Sequence, residues 1–327
     1  MSKEGSVNPQ QIIDRIFDEN ANDPQTAIKD VVTDDEIKLI ESELDTPLYE
    51  DEIFDSHMTD SVFSDKIVSS VNSYFGHIKS RKSSFGTSYP FTITKENTLI
   101  FNSQLSEEQK VYTILLCSSL MRLATKSGVN RLGHHFEELC GPVFNALLPK
   151  NAKSYFFGSG SKSLRYDSIE GNFFDKIDQL CSLLHVRPNS NFTKNNAGIH
   201  NVGDGGIDWV GIYDFGDDCS SQPTFLGQCA CGIDWIDKQF DANISKWKNY
   251  IEFSNSYQTY HFTPRNFRNE MLKWENPLQI YDVVLIDRYR LIKILANETG
   301  LSSLINDVYG KFLEEIQNDD NKIDYFA

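Results

Sequence analysis

The stretch that decides the fold is Gly203-Asp204-Gly205-Gly206-Ile207-Asp208-Trp209-Val210-Gly211-Ile212-Tyr213, taken with Thr224-Phe225-Leu226-Gly227-Gln228-Cys229-Ala230-Cys231. Its glycines predict a tight turn, because only glycine enters the left-handed region of backbone space without steric cost. The turn delivers Asp208 to the start of an apolar run that reads as a strand. The second segment reads as another strand. Between them, Phe215-Gly216-Asp217-Asp218 through Pro223 supplies the turn chemistry of a long-looped hairpin.

Downstream, Gly232-Ile233-Asp234 opens an expected helix running to about Tyr250, with Trp235, Ile236, Phe240, Ile244 and Trp247 as its apolar contacts. A strand is expected at 280–286, and a last helix from Asp287 through Leu295. Upstream, Ile177, Leu180 and Leu184 predict a helix over 174–184. Phe136, Leu139, Val143, Phe144, Leu147 and Leu148 predict another, starting near Leu132, interrupted at Gly141-Pro142 and closed by Pro149. Ser106-Glu107-Glu108-Gln109 forms a capping box for a preceding helix that Ser127-Gly128 should end. Two short strands are expected at 89–94 and 98–101, and Asp34-Asp35-Glu36 looks like a helix start. The class is therefore α/β (α+β mixed). Residues 1–104 read as an acidic, mostly helical N-terminal region for regulation or partner docking, and 105–327 as the second domain.

Oxygen-bearing side chains gather on these elements. Asp208 stands at the head of one strand, Gln228 on the next, and Glu137 on a preceding helix. Such a set suits Mg²⁺, a hard cation that keeps waters and accepts phosphate oxygens. Over roughly residues 130–295, Phe136-Glu137, Asp204-Gly205-Gly206-Ile207-Asp208 and Gly227-Gln228-Cys229-Ala230 resemble the PD-(D/E)XK, or restriction-endonuclease-like, nuclease superfamily. The look is closest to its Mrr-type restriction branch. The resemblance implies a restriction-endonuclease-like core, a central mixed sheet flanked by helices, and a Mg²⁺-dependent endonuclease, with Mn²⁺ able to substitute. It makes Asp208 and Glu137 metal ligands, puts Gln228 at the Glu/Gln position, and gives Cys229 a backbone carbonyl in the metal shell. The family lysine would stand at position 230, where this chain has Ala230. Members of the superfamily move that lysine to a nearby element, and Lys238 is the candidate here.

Plainer readings compete at several positions. Asp204 reads as a turn former. Asp208 could be an edge aspartate, Glu137 or Glu138 a solvated helix acid, and Lys238 a surface lysine. Cys219, Cys229 and Cys231 lack zinc spacing, with no histidine pair to complete a site. His134 and His135 point to different helix faces, which suits a structural or phosphate-contacting role. Asp287-Arg288-Tyr289-Arg290 reads as a helix cap with basic neighbours. Lys246, Lys248, Arg265 and Arg268 are scattered bases that could line a nucleic-acid path.

Charge first argues against nucleic acid, since the net is −16. Its distribution reverses that. Residues 1–60 hold 17 acids against 4 bases and residues 311–327 hold 5 against 2, which leaves 61–310 neutral. A neutral body with an acidic arm is compatible with phosphate binding, which depends on local cations. The arm reads as a solvated surface, or as a DNA mimic or docking segment. The six cysteines, several inside apolar runs, fit a cytoplasmic protein with free thiols. No signal peptide, membrane span or repeat is read. The expectation is DNA cleavage in prokaryotic antiviral defence, with RNA as an open alternative. A partner subunit of a defence complex is expected, and a homo-oligomer is left open. Two other readings remain: a catalytically impaired nucleic-acid-binding or assembly subunit, and an acidic regulatory or inhibitor protein.

Overall fold

In the computed structural model, residues 76, 78–94, 99–119, 126–158, 165–194, 203–232, 234–268, 271–274 and 277–317 are described. The Asp34-Asp35-Glu36 helix start and the acidic arm of residues 1–60 lie outside them. The chain divides into two units. One comprises 1–132, 265–275 and 302–327, and the other 133–264 and 276–301.

In the first unit, β1 (Phe91–Ile93) and β2 (Leu99–Phe101) form the expected antiparallel pair. The capping box of α1 (Glu107–Ser119) forms reciprocally. Ser106 N–H donates to Gln109 Oε1 at 3.1 Å, and Gln109 N–H donates to Ser106 Oγ at 3.3 Å. Tyr112 sits edge-on to Phe85 and Tyr89, with centroids 5.0 and 5.3 Å away.

The long helix α2 (Lys126–Leu147) contributes residues to both units. Ser127-Gly128, expected to end the preceding helix, lies inside α2, which also continues through Pro142.

The second unit holds a five-stranded mixed sheet. Its strands are β3 (Lys153–Phe156), β4 (Trp209–Ile212), β5 (Thr224–Cys229), β6 (Gln258–Phe262) and β7 (Val284–Ile286), adjacent in that order. The pairs β3–β4 and β4–β5 are antiparallel, whereas β5–β6 and β6–β7 are parallel. Side chains alternate across a strand, so Val210, Ile212 and Leu226 share one face. They pack with Phe157, with Ile177, Leu180 and Leu184 of α3 (Phe173–Leu184), and with Trp247. Each such aliphatic side chain stabilises the fold by about 2 kcal/mol through its burial. The opposite face carries Trp209, Tyr260 and Phe262, whose rings lie 6.0–6.2 Å from Phe144 of α2.

The mixed α/β class and the β4–β5 hairpin are as expected; other elements differ. Strands β3 and β6 were not expected, nor was α7 (Ser302–Gln317) in the first unit. The helix expected from 234 to 250 is two short ones, α4 (Trp235–Lys238) and α5 (Ile244–Trp247). Polar side chains divide it. Asn243 caps α5 by accepting from Ser245 N–H at 2.7 Å, and Trp247 Nε1 donates to the Asp241 carbonyl at 2.9 Å. Strand β7 starts later than expected because Asp282 adopts φ 46°, with its carbonyl held by Thr259 Oγ1 at 3.0 Å. Helix α6 (Arg288–Leu295) begins on its cap Asp287, which accepts from Arg290 N–H at 3.1 Å.

Candidate metal and phosphate site

The glycine turn is built from its own polar groups. Asp204 Oδ1 accepts from Gly206 N–H at 2.7 Å, the turn-forming role expected of it. Gly205 and Gly206 have φ of 65° and 86°, and a Cβ on Gly206 would lie 2.5 Å from the Asp241 Cβ. Side chains are excluded there both by backbone strain and by the neighbour. The turn therefore fixes where Asp208 enters the sheet.

Asp208 is 6% exposed. Its N–H donates to the Gly227 carbonyl at 2.9 Å, and its own carbonyl accepts from Phe157 and Gly158 N–H at 2.7 and 3.2 Å. Its carboxylate Oδ2 accepts from Cys229 N–H at 2.7 Å. Cys229 thus gives Asp208 its backbone N–H, while burial, followed by the neighbouring Cys140 thiol, pushes its own thiol well above the ordinary range.

Glu137 of α2 lies close enough to Asp208 for the two acids to disfavour each other's charge. Burial, followed by the charges of Glu137 and Asp204, pushes Asp208 well above the ordinary carboxylate range. The Cys229 amide and Lys238 pull the other way. Glu137 is also raised, chiefly by burial, against the opposing effect of His134, whose Nδ1 lies 3.5 Å from Glu137 Oε2. Two carboxylates kept together without enough positive charge are costly to the fold, and a divalent cation would relieve the repulsion.

Gln228 stands one residue past the Trp209↔Gly227 register pair, directly across from Asp208, and is 4% exposed. Its Nε2 donates to Asp241 Oδ2 at 3.2 Å. Its Oε1 is buried and has no hydrogen-bond partner among the described residues. An unsatisfied buried acceptor costs about 1–3 kcal/mol. Strand parity puts Asp208, Gln228 and His261 on the same face, His261 being the register partner of Gln228.

Lys238 is 38% exposed and forms an ion pair with Asp234 at 3.5 Å, one helical turn back. Its charge is felt at Asp208. Ala230, where the resemblance would place a lysine, is fully buried.

Lys176, Asp241 and His261 escaped the sequence reading. Lys176 of α3 is 4% exposed, and its ammonium donates to the Phe157 and Gly158 carbonyls, both at 2.8 Å. Burial lowers its pKa, while Asp204, Asp208 and Glu137 favour its charge. Asp241 accepts from Gln228, and its Oδ1 pairs with Lys246 Nζ at 2.6 Å; that ammonium also donates to the Gly205 carbonyl at 2.9 Å. Lys246 therefore braces the glycine turn, a different role from lining a nucleic-acid path. Lys176 did leave a signal. It lies three residues after Phe173 and four before Leu180, on the apolar stripe of an amphipathic helix.

The expected cap at Asp287 and its basic neighbours are structural. Arg288 is buried, with Nε donating to the Pro264 carbonyl at 2.8 Å, and Arg290 donates to the Leu285 carbonyl at 2.6 Å. In the other unit, Arg268 stacks on Trp274, 3.9 Å from the ring centroid. All six cysteines are free thiols.

Among the described residues no three His, Cys, Asp or Glu side chains form a ready metal cage. A Mg²⁺ ion asks for less, since it is usually bound by one or two carboxylates with waters and substrate phosphates. The mutually repelling Asp208 and Glu137 and the unpartnered Gln228 oxygen fit that demand. Among the described residues, no helix is long and apolar enough to cross a membrane. Comparison of the chain with models of known protein families, with curated proteins and with solved structures finds no match.

Proposed function

We propose that the second unit is a Mg²⁺-dependent phosphodiesterase of restriction-endonuclease-like architecture that cleaves DNA. One observation carries the reading: a buried carboxylate repelled by a second acid stands across adjacent strands from Gln228, whose buried amide oxygen has no partner among the described residues. Asp208 and Glu137 would hold the ion, with Gln228 Oε1 and the Cys229 carbonyl as neutral donors. Mn²⁺ would substitute for Mg²⁺. When bound, the ion supplies Lewis-acid stabilisation of charge on the phosphate and lowers the pKa of a bound water.

The chain's own residues divide the remaining work. Lys176, tied to the Phe157 and Gly158 carbonyls, offsets part of the acids' charge from a buried position. Lys238 has only a long, solvent-exposed ion pair to give up, and its flexible stem can carry the ammonium to the attacked phosphate. Trp209 and Phe144 keep water out from beneath the strands. The biological setting we infer is cytoplasmic, in prokaryotic antiviral defence. A partner subunit or the acidic N-terminal arm would control access to the site.

The specific observation favouring a second reading is Ala230, buried where the family lysine belongs, together with the engagement of Lys238 by Asp234. On that reading the chain is a nucleic-acid-binding or assembly subunit that holds the ion without cleaving. A plasmid-nicking assay with Mg²⁺ or Mn²⁺ separates the two. The nuclease reading expects nicking by the wild type, lost in Asp208→Ala and reduced at least about tenfold in Lys238→Ala. Ion binding with no nicking, alone or with a co-purified partner, would move the conclusion to the second reading.

A further inference from the structure

The two ends of the Gln228 amide differ chemically, and the surrounding structure selects between them. Its NH₂ faces Asp241 Oδ2 at 3.2 Å, and its Oε1 is the end left unpartnered among the described residues. Reversing the amide would set an acceptor against an acceptor. Asp241 cannot adapt by turning away, because each part of it is occupied. Oδ1 takes Lys246 Nζ at 2.6 Å, the backbone carbonyl takes Trp247 Nε1 at 2.9 Å, and Gly206 closes against its Cβ. Lys246 in turn holds the Gly205 carbonyl at 2.9 Å, so the brace also ties the Asp204–Asp208 turn to the same carboxylate.

We infer that Asp241, braced by Lys246, is a positioning residue that fixes the Gln228 amide so that its oxygen rather than its NH₂ is presented beside Asp208 to a hard divalent cation. The inference rests on the proposed reading of the site as a cation site. It assigns the electronic character of the Gln228 donor to a residue 13 positions away in the chain. A residue at position 228 that can be either donor or acceptor is thereby made an acceptor only. A hydrogen-bond partner one step removed from a metal typically alters affinity by about 10- to 100-fold.

The test combines a metal titration with a spectroscopic signature of the amide. In Asp241→Asn the new side chain can donate to Gln228 Oε1, the amide turns, and NH₂ faces the cation. Mn²⁺ affinity, read by electron paramagnetic resonance of the free ion, should fall about tenfold or more. The double variant Asp241→Asn with Gln228→Glu should recover most of that loss. The amide introduced at position 241 then donates to one carboxylate oxygen while the other faces the ion. The Gln228 side-chain ¹⁵NH₂ signal, identified by its loss in Gln228→Leu, should shift between wild type and Asp241→Asn. An unshifted signal overturns the inference whatever the metal does. Wild-type affinity retained in Asp241→Asn, or no recovery in the double variant, overturns it too. Absence of Mn²⁺ binding in the wild type sinks the cation reading itself, and this role with it.

Discussion

Two buried polar corners of the same unit have opposite designs. At the start of α6, Arg288 is buried with Nε on the Pro264 carbonyl, Arg290 reaches the Leu285 carbonyl, and Asp287 caps its helix. Charge there is spent on backbone groups of the fold. At the glycine turn, Asp208 and Glu137 repel each other and Gln228 Oε1 has nothing to accept from among the described residues. Buried polarity alone does not mark a functional site, since both corners have it. What marks the second corner is polarity left uncompensated by the chain, which a ligand can then compensate.

The comparison can be broken by substitutions that act in opposite directions. Arg288→Met strips a donor from a buried carbonyl and should cost about 3–4 kcal/mol in chemical denaturation, with cation affinity unchanged. A loss below about 1 kcal/mol would mean that corner is not structural in the sense described.

His261, on the site's face of the sheet, gives the next largest effect. Burial, helped by the Lys238 charge and opposed by Asp241, lowers its pKa to about 4. The folded state therefore keeps it neutral, while the unfolded chain protonates near pH ~6.5. Stability attributable to its neutrality is complete above that unfolded pKa and falls as the pH drops toward the folded one. The loss amounts to about 2 kcal/mol by about pH 5. The raised carboxylates work in the other direction, gaining relative stability as they protonate. The quantity to measure is accordingly the difference between wild type and His261→Gln in denaturation at about pH 7 and about pH 5. Equal acid dependence in the two proteins would contradict the assignment.

Asp208→Asn should give the smallest change in stability, with the opposite sign from Arg288→Met. Without the ion it removes a repelled charge while its remaining amide oxygen can still accept from Cys229 N–H. The melting temperature should rise by a few degrees, about 1 kcal/mol. A marked fall would show that the carboxylate is compensated after all, and the contrast between the corners would vanish.

The sequence was most informative where one physical signal dominated. The Ser106–Gln109 box predicts its own two hydrogen bonds, and the glycines before Asp208 predict a turn that no side chain fits. It was least informative where polar residues are buried by tertiary contacts. Strand β6 alternates Thr259 and His261 with Tyr260 and Phe262, but both faces are covered, so the polar half hides the strand. Strand β3 is four residues long and begins Lys153-Ser154. The helix read over 234–250 is divided by contacts of Asp241 and Asn243 that helical periodicity cannot reveal. The position of Lys176 on an apolar stripe was visible, but its destination among three acids required the fold.

The central claim is that Asp208, Glu137 and Gln228 form a divalent-cation site. Titration of the full chain with Mn²⁺, followed by isothermal calorimetry at neutral pH, tests it without requiring turnover or a partner. One ion per chain should bind to the wild type, and binding should fall at least about tenfold in Asp208→Asn, a variant expected to be more stable than its parent. No binding to the wild type, or binding that Asp208→Asn leaves intact, would contradict it.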